Sequence, residues 1–118
     1  MSRDVTIYHN PRCSKSRETL NLLTERGIEP EVVLYLETPP DAATIKTLMQ
    51  QLGLSHPREL MRTKEELYKT LNLGDASLGD AALIKAMVEN PKLIERPIVV
   101  SHGKARLGRP PEQVLEIL

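Results

Sequence analysis

The chain has little aromatic surface: no Trp, no Phe and three Tyr among 118 residues. Platforms on which single-stranded bases stack are therefore not expected. It also lacks an excess of charge of either sign, since 16 basic and 16 acidic residues give a net +0. With no general attraction for nucleic acid or an anionic membrane, any selectivity for anions must come from a local cluster. One cysteine cannot close an internal disulfide, so a secreted disulfide framework is excluded. No apolar run is long enough to span a bilayer, and Met1-Ser2-Arg3-Asp4 leads straight into a strand pattern with no apolar leader. These absences predict a soluble, cytoplasmic protein in a reducing compartment. The length predicts one domain over residues 1–118.

What is present concentrates in one stretch, His9-Asn10-Pro11-Arg12-Cys13-Ser14-Lys15-Ser16-Arg17. It follows the apolar alternation Val5-Thr6-Ile7-Tyr8 and precedes a helical pattern that closes at Gly27. The single cysteine is thereby predicted at a strand-to-helix turn. Unpaired amides and the positive dipole end of a helix stabilise a thiolate there, and Arg12, Lys15 and Arg17 add positive charge.

The remaining pattern gives an element order. Ser14 is a candidate N-cap for the first helix, whose stripe is Ser16, Leu20 and Leu23, with Arg26 at its C-terminal end. An extended run over Glu31–Leu36 follows and pairs parallel with the first strand. Pro39-Pro40-Asp41 starts an amphipathic helix through Ala42, Ile45, Leu48, Met49 and Leu52, closed by Gly53. Ser55-His56-Pro57 opens a short turn. Thr63-Lys64-Glu65-Glu66 fits a capping box for a helix with Leu67, Tyr68 and Leu71. Ser77 is a candidate cap for a helix burying Ala82, Leu83, Ala86 and Met87, stopped by Asn90-Pro91. Ile98-Val99-Val100 and Ala105-Arg106-Leu107 then form a hairpin about Ser101–Lys104, and a last helix from Pro111 packs through Val114, Leu115 and Leu118. A βαβ unit, a block of helices, a hairpin and a terminal helix is the order of an α/β, thioredoxin-like fold with a central helical insertion. Such folds hold a cis-proline before the third strand, facing the active cysteine, and Pro97 occupies that place.

Cys13 is the candidate nucleophile. The place of a second cysteine at Cys-x-x-Cys spacing holds Ser16, so a turnover cycle needs an external thiol such as glutathione. A Cys-x5-Arg phosphate cradle is also absent, because that position is Thr19. Oxyanion-binding arginines must come from elsewhere, and Arg62, Arg96 and Arg109 each lie at a break in regular structure. A guanidinium suits a tetrahedral oxyanion because its planar fork donates two parallel hydrogen bonds and keeps its charge. His9 is a supporting candidate, to pair with the thiol or to hold the turn. His56 and His102 have no companion ligands, so no metal site is expected.

The segment Ile7–Arg17 resembles the active-site motif of the glutaredoxin-linked arsenate reductases, the ArsC family. The resemblance continues through Glu59-Leu60-Met61-Arg62-Thr63-Lys64-Glu65, Leu93-Ile94-Glu95-Arg96-Pro97-Ile98-Val99 and Arg106-Leu107-Gly108-Arg109-Pro110-Pro111-Glu112. It implies Cys13 as nucleophile, Arg62, Arg96 and Arg109 as the arsenate-binding triad, and His9 and Ser16 as groups that assist ionisation of the thiol. It also implies arsenate or a related oxyanion as substrate, glutathione as co-substrate with no bound cofactor, glutaredoxin as partner, and neither nucleic acid nor membrane. The turn Pro-Arg-Cys-Ser-Lys-Ser is more basic than the Pro-Ala-Cys-Gly-Thr-Ser form of plasmid resistance enzymes, and is closest to a chromosomal ArsC-like subgroup. Two alternatives stand beside it. One is an Spx-like regulator that binds RNA polymerase, a class that typically carries the Cys-x-x-Cys missing here. The other is a glutathione-dependent thiol transferase, suggested by Cys13-x-x-Ser16 alone.

Overall fold

The computed structural model describes residues 5–108 and 110–118. The chain divides into two compact units, one of Met1–Thr38 with Arg96–Leu118 and one of Pro39–Glu95.

The first unit is built on a four-stranded sheet. Its strands are β1 (Val5–Tyr8), β2 (Glu31–Val33), β3 (Ile98–Ser101) and β4 (Lys104–Leu107), in the order β2-β1-β3-β4. β1 and β2 run parallel, with Ile7 opposite Val32, as a helix between two nearby strands requires. β3 runs antiparallel to β1, pairing Ile7 with Val99, and β4 returns antiparallel with Ser101 opposite Lys104. The hairpin turns on His102 and Gly103, both at positive φ (54° and 77°), the primed-turn geometry that matches strand twist. This is the thioredoxin-like arrangement, with the helical insertion entering the chain between β2 and β3. The Arg96-Pro97 bond is cis.

Helix α1 spans Ser14–Glu25. Ser14 is its first residue rather than its cap: the N-cap is Cys13, whose side chain makes no capping hydrogen bond. Arg26 and Gly27 close it as expected, their amides reaching the Leu23 and Thr24 carbonyls. Alternation along β1 turns Val5 and Ile7 inward, where they pack with Leu23 of α1, Val99 of β3, and Val114 and Ile117 of the C-terminal segment. Each fully buried aliphatic side chain contributes about 1.5–3 kcal/mol. The C-terminal segment, Pro111–Ile117, is a 3₁₀ helix, and Ile117 fills the place expected of Leu118, which is 40 % exposed. Tighter winding moves the buried stripe to every third residue, Pro111, Val114 and Ile117.

β2 ends three residues earlier than the apolar run suggests. The amides of Glu37 and Thr38 both reach the Leu34 carbonyl (2.9 and 2.8 Å), which turns the chain after Val33. Tyr35, buried at 1 % exposure, anchors that turn.

The second unit is helical. α2 (Ala42–Leu52) starts where expected, with Asp41 accepting from the Thr44 amide at 2.8 Å, and ends at Gly53 in the left-handed region. A 3₁₀ turn, Pro57–Leu60, carries a reciprocal capping box between His56 and Glu59. No such box forms at Thr63: α3 (Glu66–Thr70) is preceded by Glu65 without a side-chain cap. α4 (Asp80–Glu89) likewise starts after Gly79, because Ser77 is occupied in a turn closed by Asp75. Its buried face is Leu83, Ile84, Ala86 and Met87; Ala82 is exposed. A second 3₁₀ turn, Pro91–Leu93, follows, and Met61 pairs with Ile94 in an isolated antiparallel bridge. Among the described residues no helix is long and apolar enough to cross a membrane.

Candidate active site

Cys13 stands where the chain leaves the sheet and enters α1. Asn10 organises the approach: its carbonyl accepts from the Cys13 amide (3.0 Å) and its side-chain oxygen from the Arg12 amide (3.0 Å). This Asx turn pins the loop immediately before the thiol. The His9 amide donates to the Val33 carbonyl at 2.9 Å, fixing the loop to the end of β2.

Below the turn lies a buried polar cluster. Ser16, fully buried, accepts from the Asn10 amide at 3.0 Å and lies 2.6 Å from Nδ1 of His9, itself 5 % exposed. Burial holds the His9 pKa below its ordinary value, which favours the neutral ring. A neutral ring protonated at Nε2 accepts the Ser16 hydroxyl proton at Nδ1, and the opposite tautomer donates to the same oxygen. Either way, both buried partners are satisfied. Ser16 thus occupies the position of a second cysteine and ties His9 to the loop.

The Cys13 thiol is half-buried, and burial by itself pushes its pKa up. That effect is outweighed by the Ser16 amide, the positive charge of Arg96, the Lys15 amide and a hydrogen bond from the Arg96 side chain. The net pKa is below the ordinary thiol value. The amides are the open donors of the first turn of α1, so the helix start supplies what its position promised.

Arg96 is 8 % exposed and is the residue just before the cis bond to Pro97. The structure therefore brings together Cys13, His9, Ser16 and Arg96. Arg62 belongs to the helical unit, where its Nη1 donates to Glu65 at 2.9 Å and its Nε lies 3.9 Å from Glu95. Glu65 in turn lies 3.6 Å from Lys92. Arg109 lies outside the described residues. Its neighbour Gly108 is confined: a Cβ there would collide with Thr19 and with the Pro97 ring, and its amide donates to the Pro97 carbonyl at 3.0 Å. The Gly-Arg-Pro-Pro break needs glycine for this close pass.

Sequence reasoning missed the organising role of Asn10 and the pairing of Arg62 with Glu65 and Glu95. The Asn-Pro pair in the loop is a signal for the first and the three-residue spacing of Arg62 and Glu65 for part of the second; the approach of Glu95 has no local signal. Lys15 is bridged at 3.7 Å to Glu18 and contributes through its amide. Among the described residues no group of three His, Cys, Asp or Glu side chains could hold a metal ion.

Residues 8–117 match the profile of the ArsC family. The chain is 72 % identical, over 100 % of its length and 99 % of the relative's, to the uncharacterized protein YfgD of Escherichia coli K12. It is 54 % identical to the arsenate reductase of Haemophilus influenzae, over 97 % of this chain and 98 % of that one. The solved structure of an arsenate reductase from Vibrio cholerae superposes with a TM-score of 0.95 at 68 % identity, covering 97 % of each chain.

Proposed function

The chain belongs to the ArsC family, and on that premise we propose that it is an arsenate reductase. In this reading residues 1–118 work as one cytoplasmic domain, Cys13 is the nucleophile, and Arg62, Arg96 and Arg109 hold the oxyanion. Glutathione and glutaredoxin supply the electrons.

The observation that carries it is the state of Cys13: a thiol whose pKa is lowered by helix amides and by the buried Arg96 guanidinium. Arginine beside the sulfur serves twice, stabilising the thiolate and offsetting its repulsion of an incoming oxyanion. Cys13 releases its proton to solvent, the thiolate attacks the arsenic of dihydrogen arsenate, and one hydroxyl takes up a proton from solvent and leaves as water as the sulfur–arsenic bond forms. The sulfur of glutathione then bonds to the Cys13 sulfur. The electron pair of the sulfur–arsenic bond stays on arsenic, which falls from the pentavalent to the trivalent state and departs as arsenite. The two sulfurs lose the two electrons that arsenic gains and remain as a mixed disulfide. A glutaredoxin thiolate takes the glutathionyl group and restores Cys13.

Purified protein supplied with arsenate, glutathione and glutaredoxin is expected to form arsenite, and Cys13→Ser is expected to form none above background. A wild-type protein that makes no arsenite but binds RNA polymerase, or that only exchanges glutathione between disulfides, would replace this reading.

A further inference from the structure

A protein with one cysteine must receive its reducing thiol from outside, and that thiol needs a seat within reach of Cys13. A cleft of about 370 Å³ opens beside the loop, lined by Asn10, Pro11, Arg12, Leu34, Leu36 and Glu37 around the buried His9. It lies where the chain leaves the carboxyl ends of the parallel pair β1 and β2, the place where open α/β sheets receive ligands. Its size falls within the range of about 300–1,000 Å³ typical of small-molecule sites.

Both walls are fixed. The loop wall is held by the Asn10 hydrogen bonds and by the His9 amide on Val33, and the other by the Leu34 turn. Pro11, Leu34 and Leu36 make its surface largely apolar, yet it carries one cation, Arg12, immediately before Cys13, and one anion, Glu37. Leu36 is 42 % exposed, an apolar side chain left open to solvent on the wall of the cleft.

We propose that this cleft seats the external thiol, and that its ligand is a small zwitterionic peptide thiol of the glutathione class. Its carboxylate pairs with Arg12, its ammonium with Glu37, and its methylenes cover Pro11, Leu34 and Leu36. So held, its sulfur bonds to that of Cys13 while arsenic leaves with the electron pair as arsenite, the balance given above. The proposal rests on the reductase reading for that step, but the binding does not.

Glu37→Lys and Leu36→Asp, both changes at exposed positions, are expected to raise KM for glutathione about tenfold. KM for arsenate and the rate with 2-mercaptoethanol, a neutral thiol with no charged ends, are expected to stay within twofold. S-methylglutathione, which cannot react, is expected to shift the amide resonances of His9, Asn10 and Arg12 and of residues 34–37 in the full chain. A glutathione KM unchanged in both variants, or amide shifts confined to other residues, overturns the site. Displacement of those shifts by glutaredoxin alone, with none from S-methylglutathione, assigns the cleft to a protein and overturns it as well. A wild type that forms no arsenite but shows the predicted shifts sinks the reductase reading and leaves the site standing.

Discussion

Arg96 and Arg62 were both expected to bind an oxyanion, yet the two units hold them in different ways. Arg96 is almost fully buried, and its guanidinium contributes both charge and a hydrogen bond to the Cys13 thiol. Arg62 keeps its side chain 29 % exposed and is gripped by Glu65, with Glu95 at 3.9 Å. A cation desolvated beside a thiol exerts its field at full strength there, whereas one paired with two carboxylates is largely neutralised at a distance. Arg96 therefore acts on the Cys13 thiol, and in the proposed reading Arg62 is an arginine that the oxyanion would have to win from its carboxylates.

The largest expected effect tests the first half of that contrast. Arg96→Ala is expected to move the Cys13 pKa upward and to lower kcat/KM for arsenate by about a hundredfold, the loss typical of a removed oxyanion donor. Alkylation of the thiol across pH reads the titration directly. Arg96→Lys, which keeps the charge but not the planar fork, is expected to fall between. An unchanged midpoint in Arg96→Ala would remove Arg96 from the site. The same titration bears on stability. A group whose folded pKa is depressed stabilises the fold above its unfolded pKa and loses that contribution as pH falls through the folded value. The stability advantage of wild type over Cys13→Ser should therefore grow from the folded thiol pKa up to about pH 8.5 and then level.

Arg62→Ala probes the second half. Its expected effect is a rise of about tenfold in KM for arsenate, worth about 1.4 kcal/mol, with the Cys13 midpoint left where it was. A midpoint that moved as far as in Arg96→Ala would erase the distinction between the two arginines.

How far such differences can be read in advance depends on how local their causes are. Asp41 and Gly53 bracket α2 as expected because cap and stop are decided by the few residues around them. Cys13 at the head of α1 was legible for the same reason. Ser77 and Thr63 look like caps too, but Ser77 was taken by Asp75 and the box formed at His56 and Glu59. Nearby side chains compete for the same backbone donors, and the sequence pattern does not rank them. The apolar run from Val32 to Leu36 reads as one strand, yet the amides of Glu37 and Thr38 fold its end into the wall of the cleft. Gly108 was visible as a break, while its cause, the close approach of Thr19 and Pro97, spans most of the chain. The pairing of Arg96 with Cys13 is of that distant kind, and what hinted at it was the place of Pro97 before the third strand together with the family resemblance.

The smallest effect is the sharpest on mechanism. Glu65→Gln removes the charge that opposes Arg62 and keeps the shape of the side chain. Because the Arg62–Glu65 pair is partly exposed, its loss should change folding stability by less than about 1 kcal/mol. Lys92 loses its 3.6 Å partner at the same time, and two cations are left with less opposing charge. If Arg62 must exchange Glu65 for the substrate, KM for arsenate falls about twofold to threefold at low salt, and the gain fades as ionic strength shortens the reach of the field. If Glu65 instead holds Arg62 in its working orientation, KM rises, and the contrast between a tuning arginine and a contested one is wrong. In the Arg62→Ala background the same change should have a smaller effect, because the Arg62 contact is already gone and only the pairing with Lys92 is left to lose.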